Sequence, residues 1–227
     1  MVANSTEVAG RIQAFYGRSA AVVHPPVQVD DLINRPARRE GYALALSRWI
    51  AYKHLDVAIE ACALARIPLV VAGSGPEEQR LRALAGAAGG DVRFVVQPTR
   101  REVAHLMSGA SVFVFPPFED FGIVAVEAQA AGVPVAALAA GGALDTVRDG
   151  VTGVLAATQT AEDFAQAIER CLALDVSVDT CRQHAWRFRP ERFHKQMRGL
   201  AEALMRGPGD AGPDRPIPTH ANRAQDS

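Results

Sequence analysis

Short apolar runs alternate with longer amphipathic stretches between residues 41 and 174. Six runs have the length of a β-strand and are apolar apart from Arg93: Tyr42–Leu46, Leu69–Ala72, Val92–Val96, Val112–Phe115, Val133–Ala137 and Gly153–Leu155. Strands buried on both faces have this composition, as in a parallel sheet covered by helices. The pattern therefore predicts an α/β fold, a doubly wound Rossmann-like parallel sheet with helices on both faces.

Two of the intervening stretches carry signals for the start of a helix. Gly75-Pro76-Glu77-Glu78 places proline at a first helical position and acids in the first turn, where the helix dipole favours negative charge. Thr160 and Asp163 resemble a capping box with the shorter acid. Ligands of doubly wound sheets bind outside the carboxyl ends of the strands, so the strand-to-helix loops are where chemistry is expected.

The segments that flank this alternating block have other patterns. A helix-like stretch (7–16) and a short strand (Ala20–Val23) precede the stiff sequence His24-Pro25-Pro26. A helix is predicted for Pro190–Met205, and its apolar stripe needs a surface to pack on. The stripe consists of Phe193, Met197, Leu200 and Leu204. Residues 207–227 hold hardly any large apolar side chain and are predicted to form a disordered tail.

The composition is that of an ordinary globular protein and excludes several classes of function. The 227 residues are 48% hydrophobic and 22% charged, with a net charge of −1 and no basic stripe, so a nucleic-acid-binding surface is not expected. No apolar run approaches the roughly 20 residues of a membrane span, and any membrane contact is expected to be peripheral at most. Three cysteines without C-x-x-C spacing predict reduced, mostly buried thiols in a cytoplasmic protein.

The strongest chemical signal is the segment from Glu119 to Glu127, directly after the strand Val112–Phe115. Gly122 lets the backbone approach a ligand closely, and the free N–H groups of the following helix suit a diphosphate. Glu127 lies about five residues into that helix, roughly 7 Å along its axis. Two acceptors at this separation can hold hydroxyl groups at opposite ends of one ligand, such as a sugar and a ribose.

The alternative is that both glutamates are ordinary solvated acids. Most isolated pairs of glutamates are of that kind. Here, however, the helix around Glu127 is rich in alanine and valine on nearly every side, and an unpaired acid would be costly there. The surroundings therefore favour a functional interpretation.

The motif resembles the signature of a known family. Glu-x-Phe-Gly-x-x-x-x-Glu, followed by Ala-Ala-Gly-Val-Pro-Val and Gly141-Gly142, is similar to the pattern of the retaining glycosyltransferases of family 4. That family has the GT-B fold, in which two Rossmann-like domains flank a cleft. The resemblance runs from about Ala3 to Phe193. The variant Glu-Asp-Phe-Gly-Ile, together with Tyr52–Asp56, is most similar to bacterial mannosyltransferases of surface-polysaccharide assembly.

The resemblance implies roles for individual residues of the motif. Glu119 matches the glutamate that contacts the donor sugar, and Glu127 matches the one that holds the ribose hydroxyls. Ser47–Lys53 resembles Gly-Arg-Leu-x-x-x-Lys, whose two cations grip the diphosphate and stabilise the leaving group; Ser47 departs from the usual glycine. The implied catalytic residues are Arg48, Lys53 and Glu119. The implied donor-binding residues are Arg48, Lys53, Gly73, Gln97, Glu119, Phe121, Gly122, Ile123, Val124 and Glu127.

Three further features have weaker implications. Gly73-Ser74-Gly75-Pro76 is by itself only a tight turn, although its counterpart in the family lies beside the donor. Nucleobase contacts in the family come largely from the backbone near Val96-Gln97-Pro98. Asp145 stands where the family usually has glutamate, and we expect a structural role for it. Asp30-Asp31 is not the Asp-x-Asp of metal-dependent transferases, so no metal or other cofactor is expected.

The resemblance also divides the chain. Residues 1–31 are expected to be a remnant of the N-terminal acceptor domain, 32–189 the nucleotide-sugar-binding domain, and 190–206 the helix that crosses back. Family members are roughly twice as long, so the chain is expected to be a truncated or split-gene product that needs a separate acceptor-domain chain. The uncovered apolar surfaces of its flanking helices also favour a partner chain.

The resulting expectation is a donor-binding part that helps to transfer a hexosyl group, with retention, from a nucleoside diphosphate sugar to an acceptor hydroxyl. GDP-mannose is favoured as the donor by family similarity alone. A non-catalytic nucleotide-sugar-binding subunit is the alternative. A Rossmann oxidoreductase is disfavoured because no Gly-x-Gly-x-x-Gly follows the first strand.

Overall fold

The computed structural model describes residues 1–174 and 176–206. Its strands are β1 (Val2–Ala3), β2 (Ala21–Val22), β3 (Ala43–Arg48), β4 (Leu69–Ser74), β5 (Val92–Val96), β6 (Val112–Phe115), β7 (Val135–Leu138) and β8 (Gly153–Ala156). Its helices are α1 (Thr6–Tyr16), α2 (Asp30–Ile33), α3 (Leu55–Leu64), α4 (Glu78–Ala88), α5 (Arg100–Gly109), α6 (Ile123–Ala130), α7 (Ala143–Thr146), α8 (Ala161–Ala173), α9 (Val178–Ala185) and α10 (Pro190–Met205). Ala51–Lys53 and Trp186–Phe188 form single 3-10 turns. The predicted tail, 207–227, lies outside the described residues.

Six strands form one parallel sheet in the order β5-β4-β3-β6-β7-β8. Along the chain, β4 and β5 are added on one side of β3. The chain then crosses to the other side of β3, where β6, β7 and β8 are added in turn. This is the doubly wound topology, and the prediction of an α/β fold with a parallel sheet is confirmed. The order reverses between β3 and β6, and the crevice at the carboxyl ends of these strands is the usual place for a ligand.

Two separate hydrophobic cores cover the two faces of the sheet. On one face, Met107 of α5 and Val126 of α6 pack against the central strands. On the other, Ile59 of α3 and Phe164 of α8 do so. Because both faces are covered, the strands other than the edge strand β5 carry buried apolar residues at successive positions, which is the pattern that predicts them.

Two predicted helix starts differ in detail from the structure. Helix α4 begins at Glu78, so Pro76 lies two residues before it and not at its first position. The reason is that the N–H of Glu77 donates to the carbonyl of Trp49 (3.1 Å), which holds residues 75–77 as a turn against the neighbouring loop. Thr160 does cap α8, but the carboxylate of Asp163 accepts from Thr158 and does not complete a capping box.

The flanking helices form where they are predicted, yet neither buries a residue. Helix α1 covers Thr6–Tyr16, and Phe15 is 79% exposed. Helix α10 covers Pro190–Met205, and Leu204 is 82% exposed. The stripe of α10 therefore has no covering surface within the described part of the chain. The strands β1 and β2 pair in parallel beside α1.

The three thiols, Cys62, Cys171 and Cys181, are free and buried, as predicted. Burial raises the pKa of each of them to about 12. None of the helices in the described ranges has the length and apolar character needed to cross a membrane.

Candidate functional site

Most of the predicted site residues lie at the carboxyl edge of the sheet. Arg48 is the last residue of β3 and its side chain is exposed. Lys53 ends the 3-10 turn that follows, Gln97 comes directly after β5, and Glu119 lies in the loop after β6. Parallel strands bring residues from four different loops to one edge, which we call the strand-edge site (Arg48, Lys53, Gly73, Gln97, Glu119 and Gly122).

Lys53 and Glu119 form an ion pair across the β3–β6 switch point. The Nζ atom of Lys53 contacts Oε1 of Glu119, and the two side chains are only 15% and 23% exposed. The same Nζ lies 4.8 Å from the centroid of the Tyr52 ring, which adds a cation–π contact. Partial burial strengthens the attraction relative to a surface pair. The arrangement fixes one cation and one carboxylate side by side at the mouth of the crevice.

The amino end of helix α6 lies next to this pair. Gly122 caps the helix in the left-handed conformation (φ 85°). A Cβ there would be 3.0 Å from the Phe115 ring, so the position needs glycine on both counts. The first hydrogen bond of the helix runs from the N–H of Ala125 to the carbonyl of Gly122 (3.0 Å). The N–H groups of Ile123 and Val124 precede it and are free for an anion.

Gly141 and Gly142 pack closely against the backbone of the Glu119 loop. The N–H of Gly142 donates to the carbonyl of Glu119 (2.7 Å). A Cβ on Gly142 would be 2.2 Å from the Cα of Phe121, and one on Gly141, which has φ 61°, would be 2.5 Å from the carbonyl oxygen of Glu119. The Gly-Gly sequence is therefore required by close backbone contact, and it sets the position of Glu119.

Close backbone contact also explains why glycine is needed at both ends of the Gly73-Ser74-Gly75 turn. A Cβ on Gly73 would be 1.9 Å from the carbonyl oxygen of Ser47, and one on Gly75 would be 2.3 Å from that of Trp49. Trp49 is fully buried beneath the turn and meets Phe94 edge-on at 5.7 Å. The turn thus anchors the chain between Arg48 and Lys53. Gln97 has a left-handed backbone (φ 50°) and donates its N–H to the carbonyl of Gly73 (2.8 Å).

The side chain of Phe121 points into the protein and not into the crevice. Its ring is 4% exposed, stacks on His24 at 5.5 Å and meets Phe188 edge-on at 5.6 Å. Any contact between Phe121 and a ligand at the strand edge therefore involves its backbone. The ring itself ties the Glu119 loop to the segments at both ends of the domain.

Helix α1 attaches to the same loops through polar contacts. Arg11 pairs with Asp120, next to Glu119. The carboxylate of Asp145 accepts from the N–H and the hydroxyl of Thr6 at 2.7 and 2.9 Å. Asp145 thus satisfies donors at the amino end of α1, where an acid is favoured. Through this contact, Asp145 attaches helix α1 to the rest of the domain.

Glu127 lines a cavity whose walls include none of the residues of the strand-edge site. The cavity has a volume of about 450 Å³ and also contacts Asp31, Leu32, Arg35, Arg100 and Met107. Burial raises the pKa of the Glu127 carboxyl, and the nearby Arg100 guanidinium partly offsets this. The volume is within the range of ligand-binding pockets. We call this space, enclosed by α2, α5 and α6, the helix cavity.

The sequence pattern does not predict that residues of α2 and α5 form part of a site. Helix α2 has only four residues and no side-chain cap, so no pattern marks it. Helix α5 did offer a signal, because Thr99 and Glu102 form a complete capping box. That signal places Arg100 at the amino end of a helix, just after β5.

The described part of the chain contains no group of three or more His, Cys, Asp or Glu residues that could hold a metal ion.

Comparison with known proteins identifies the family. The family model described as "Glycosyl transferases group 1" matches residues 30–187, more than half of the chain. The chain belongs to the glycosyl transferases group 1. The match includes the strand-edge site and Glu127, and excludes α1 and α10.

Relatives of this group 1 chain include longer proteins. The D-inositol 3-phosphate glycosyltransferase of Mycobacterium tuberculosis is 33% identical over 199 residues, which cover 77% of this chain and 41% of the relative. The chain thus spans about two fifths of the length of the curated relatives that it matches.

Solved structures share the fold. Sucrose-phosphate synthase from Thermosynechococcus elongatus superposes with a TM-score of 0.78 at 26% identity, covering 90% of this chain and 58% of that one. The Anabaena protein HepE in complex with UDP superposes with a TM-score of 0.80 at 22% identity, covering 89% and 63%.

Proposed function

We propose that the chain is the donor-binding part of a glycosyltransferase that transfers a hexosyl group from a nucleoside diphosphate sugar to an acceptor hydroxyl. The observation that carries the proposal is the Lys53–Glu119 pair beside the free N–H groups of α6. A diphosphate needs cationic and N–H donors, and a sugar needs a hydroxyl acceptor. Both kinds of group lie at this one edge.

The proposed chemistry rests on charge stabilisation. Bond cleavage leaves negative charge on the departing nucleoside diphosphate. Arg48, Lys53 and the N–H groups of α6 stabilise that charge without having to reorganise during the reaction. Glu119 accepts hydrogen bonds from the sugar hydroxyls and orients the ring, so that its reacting carbon faces the acceptor. Glu127 accepts hydrogen bonds from the ribose hydroxyls.

For the specific donor, we propose GDP-mannose and transfer with retention of configuration. The support is the resemblance of Glu119–Ile123 and Tyr52–Asp56 to bacterial mannosyltransferases. The related mycobacterial protein is named as an inositol phosphate glycosyltransferase, and the Anabaena structure contains UDP. UDP-sugars are therefore the donors to compare with GDP-mannose.

We further propose that a separate acceptor-domain chain completes the enzyme. The chain covers 41% of the length of its mycobacterial relative. Helices α1 and α10, at the two ends of the described region, bury no residue. A partner that covers their apolar side chains would complete the cleft and bring the acceptor to the strand-edge site.

A second candidate is a nucleotide-sugar-binding subunit without catalytic activity. The observation in its favour is that the chain covers only 41% of the length of its mycobacterial relative, while the residues proposed to bind the donor are present. This candidate predicts donor binding without transfer, even when an acceptor-domain chain is supplied.

Calorimetric titration of the chain with GDP-mannose, UDP-glucose, GDP and UDP tests the donor site. Saturable binding of at least one of them is expected, and weaker binding by Lys53→Met should accompany it. The absence of binding by all four would contradict the proposal. Sugar transfer, measured with and without candidate acceptor-domain chains, then separates the enzyme from the binding subunit.

A further inference from the structure

A buried polar network joins three helices beneath the Glu119 loop. Gln129 of α6 and Thr146 of α7 have no exposed surface, and His184 of α9 is only 5% exposed. The Nε2 atom of Gln129 donates to the carbonyls of Ala125 (3.0 Å) and Thr146 (2.8 Å). The Nε2 atom of His184 lies 3.2 Å from the same Thr146 carbonyl. Because a carbonyl oxygen only accepts, Nε2 is the ring nitrogen that carries the proton.

The network continues from Thr146 to the Glu119 loop. The hydroxyl and the N–H of Thr146 both donate to the carbonyl of Gly142, each at 3.1 Å. The N–H of Gly142 in turn donates to the carbonyl of Glu119 (2.7 Å). A continuous series of hydrogen bonds therefore connects the Gln129 amide, inside α6, to the loop that carries the Glu119 carboxylate.

The amide of Gln129 supplies what an apolar side chain at this position could not. Both of its partners are carbonyls, so the NH₂ group faces them, and Oε1 is buried without a partner among the described residues. A methionine of similar size would fill the same space without that desolvation cost. It would lack the directed hydrogen bond to the Thr146 carbonyl, which fixes α7 against α6. The amide is therefore explained by the position that it gives to α7.

His184 provides a second donor to the same carbonyl from α9. Burial lowers the pKa of His184 to about 4, and the nearby Arg187 and Arg148 act in the same direction, so the ring is neutral at pH 7. A neutral ring with its proton on Nε2 satisfies the carbonyl without placing a charge in the core. Thr146 is thereby held by donors from two helices that are far apart in the sequence.

Resting on the proposed function, we propose that Gln129 and His184 are positioning residues for the diphosphate of the donor. Through the Thr146 carbonyl they fix α7, and with it the Glu119 loop, relative to the free N–H groups at the amino end of α6. The diphosphate needs those N–H groups and the Lys53 side chain, which is paired with Glu119, at the same time. Gln129 and His184 are themselves buried and act on the ligand through this network.

Calorimetric titration of Gln129→Met with GDP and guanosine, and in parallel with UDP and uridine, tests this role. We expect the affinity for the nucleoside diphosphate to fall about tenfold, which corresponds to the loss of one net hydrogen bond, and the affinity for the nucleoside to stay the same. In the ligand-free variant, amide hydrogen exchange at Gly142 should become faster, because its N–H no longer has a fixed acceptor. Equal losses for nucleoside and diphosphate, or unchanged exchange at Gly142, would overturn the proposal.

Two substitutions at His184 test the same carbonyl should Gln129→Met fail to fold, as judged by circular dichroism. His184→Leu removes the donor and is expected to reproduce the loss of diphosphate affinity. His184→Gln restores an amide N–H in place of the ring N–H and should bind as the unmodified chain does. Equal diphosphate affinity of the two variants would show that the ring only fills space, and would contradict a positioning role.

Ile168→Val is the matched control. Ile168 is fully buried in the core on the other face of the sheet, so the loss of one methyl group destabilises the fold without touching the network. It should leave diphosphate affinity and exchange at Gly142 unchanged. If Gln129→Met behaves like this control, the donor site stands and only the positioning role is wrong. If the unmodified chain binds none of the four compounds, the donor site and the positioning role are both wrong.

Discussion

The two glutamates of one motif lie in contrasting surroundings. Glu119 at the strand edge is paired with Lys53 and held by backbone contacts from Gly141 and Gly142. Glu127, eight residues later, lies in the helix cavity without a hydrogen-bonding partner among the described residues, and burial raises its pKa. The charged pair at the strand edge is thus satisfied before a ligand arrives, whereas the cavity contains the buried Nε–H of Arg35, which has no acceptor among the described residues.

The two halves of a nucleotide-sugar site can therefore have different tasks. A preorganised charged pair suits the reacting end, because groups that stabilise developing charge should not move. Unsatisfied groups in a cavity favour binding, because the ligand removes a desolvation penalty that the free protein bears. Substitutions in one half should therefore affect binding in a different way from substitutions in the other.

The largest effect is expected from Gly142→Ala, which breaks the strand edge and spares the cavity. The new Cβ would overlap the backbone of Phe121, so the Glu119 loop must shift. We expect nucleoside diphosphate affinity to fall about hundredfold, because the displaced loop separates Glu119 from Lys53 and leaves a partly buried charge unpaired, and thermal unfolding to show a loss of about 1–3 kcal/mol. Guanosine binding should change little.

Gly86→Ala is the control for this prediction. Gly86 lies inside α4, and a Cβ there would meet nothing within 4 Å. This variant should bind normally and gain about 0.5–1 kcal/mol of stability. Normal diphosphate binding by Gly142→Ala would show that the loop position is not needed.

Lys53→Met should produce the next largest effect. It removes the cation for the diphosphate and leaves the Glu119 carboxylate without its partner at a mostly buried position. We expect GDP affinity to fall about thirtyfold, roughly 2 kcal/mol, in calorimetric titration. Guanosine affinity should be unchanged, and Lys195→Met, on the exposed face of α10, should match the unmodified chain. An equal loss for guanosine and GDP would remove the distinction between the two halves.

Glu127→Gln, unlike Lys53→Met, should weaken the binding of the nucleoside as well as that of the nucleoside diphosphate. The change keeps the shape of the side chain but weakens its hydrogen bonds to ribose hydroxyls, so guanosine and GDP should both lose about tenfold in affinity. The variant should also be more stable than the parent at pH 7. The reason is that the raised pKa makes the folded state hold the proton more tightly than the unfolded state, so ionisation of Glu127 lowers stability as the pH rises.

The pH dependence of Glu127 supplies a further check. The stability advantage of Glu127→Gln should decrease as the pH falls towards the ordinary pKa of 4.5 and disappear well below it, where the parent carboxyl is neutral in both states. Guanosine affinity of the parent should decrease as the pH falls through the raised pKa, while that of the variant stays level. Parallel curves for the two proteins would contradict the assignment of an ionised acceptor to the cavity.

Arg48→Met should have the smallest effect. Arg48 is exposed and has no ion-pair partner in the described ranges. We expect a loss of about threefold in GDP affinity near physiological salt, which decreases further as salt is added because exposed charges are screened. Titrations at two salt concentrations measure it. A salt-independent loss would indicate that Arg48 is buried by a partner or by the ligand.

Much of the sheet could be predicted from the sequence because burial on both faces leaves an unbroken apolar run. β6, which is buried at every position, begins and ends where the pattern places it. The edge strand β5 does so too, although it contains Arg93 and none of its residues is buried. For β7 the pattern predicts a start at Val133, whereas the strand begins at Val135, after Pro134. Proline has no N–H for the ladder, which explains the shift.

The strand-edge site was also accessible to prediction, and the helix cavity was not. Arg48 and Glu119 follow recognisable strands, so topology alone places them at one edge. The cavity instead brings together Asp31, Arg100 and Glu127, which are far apart in the sequence and lie on helices whose packing no local pattern encodes. The buried direction of the Phe121 ring likewise depends on His24 and Phe188, at opposite ends of the domain.

The buried position of Trp49 has a practical consequence. The chain has two tryptophans, and the other, Trp186, is 43% exposed. Trp49 lies directly between Arg48 and the turn that carries Lys53, sealed beneath Gly73 and Gly75. In a Trp186→Phe background, its fluorescence would originate within the loop that is expected to hold the diphosphate. The chain thus contains its own optical reporter, with which occupancy of the strand edge can be followed without a label.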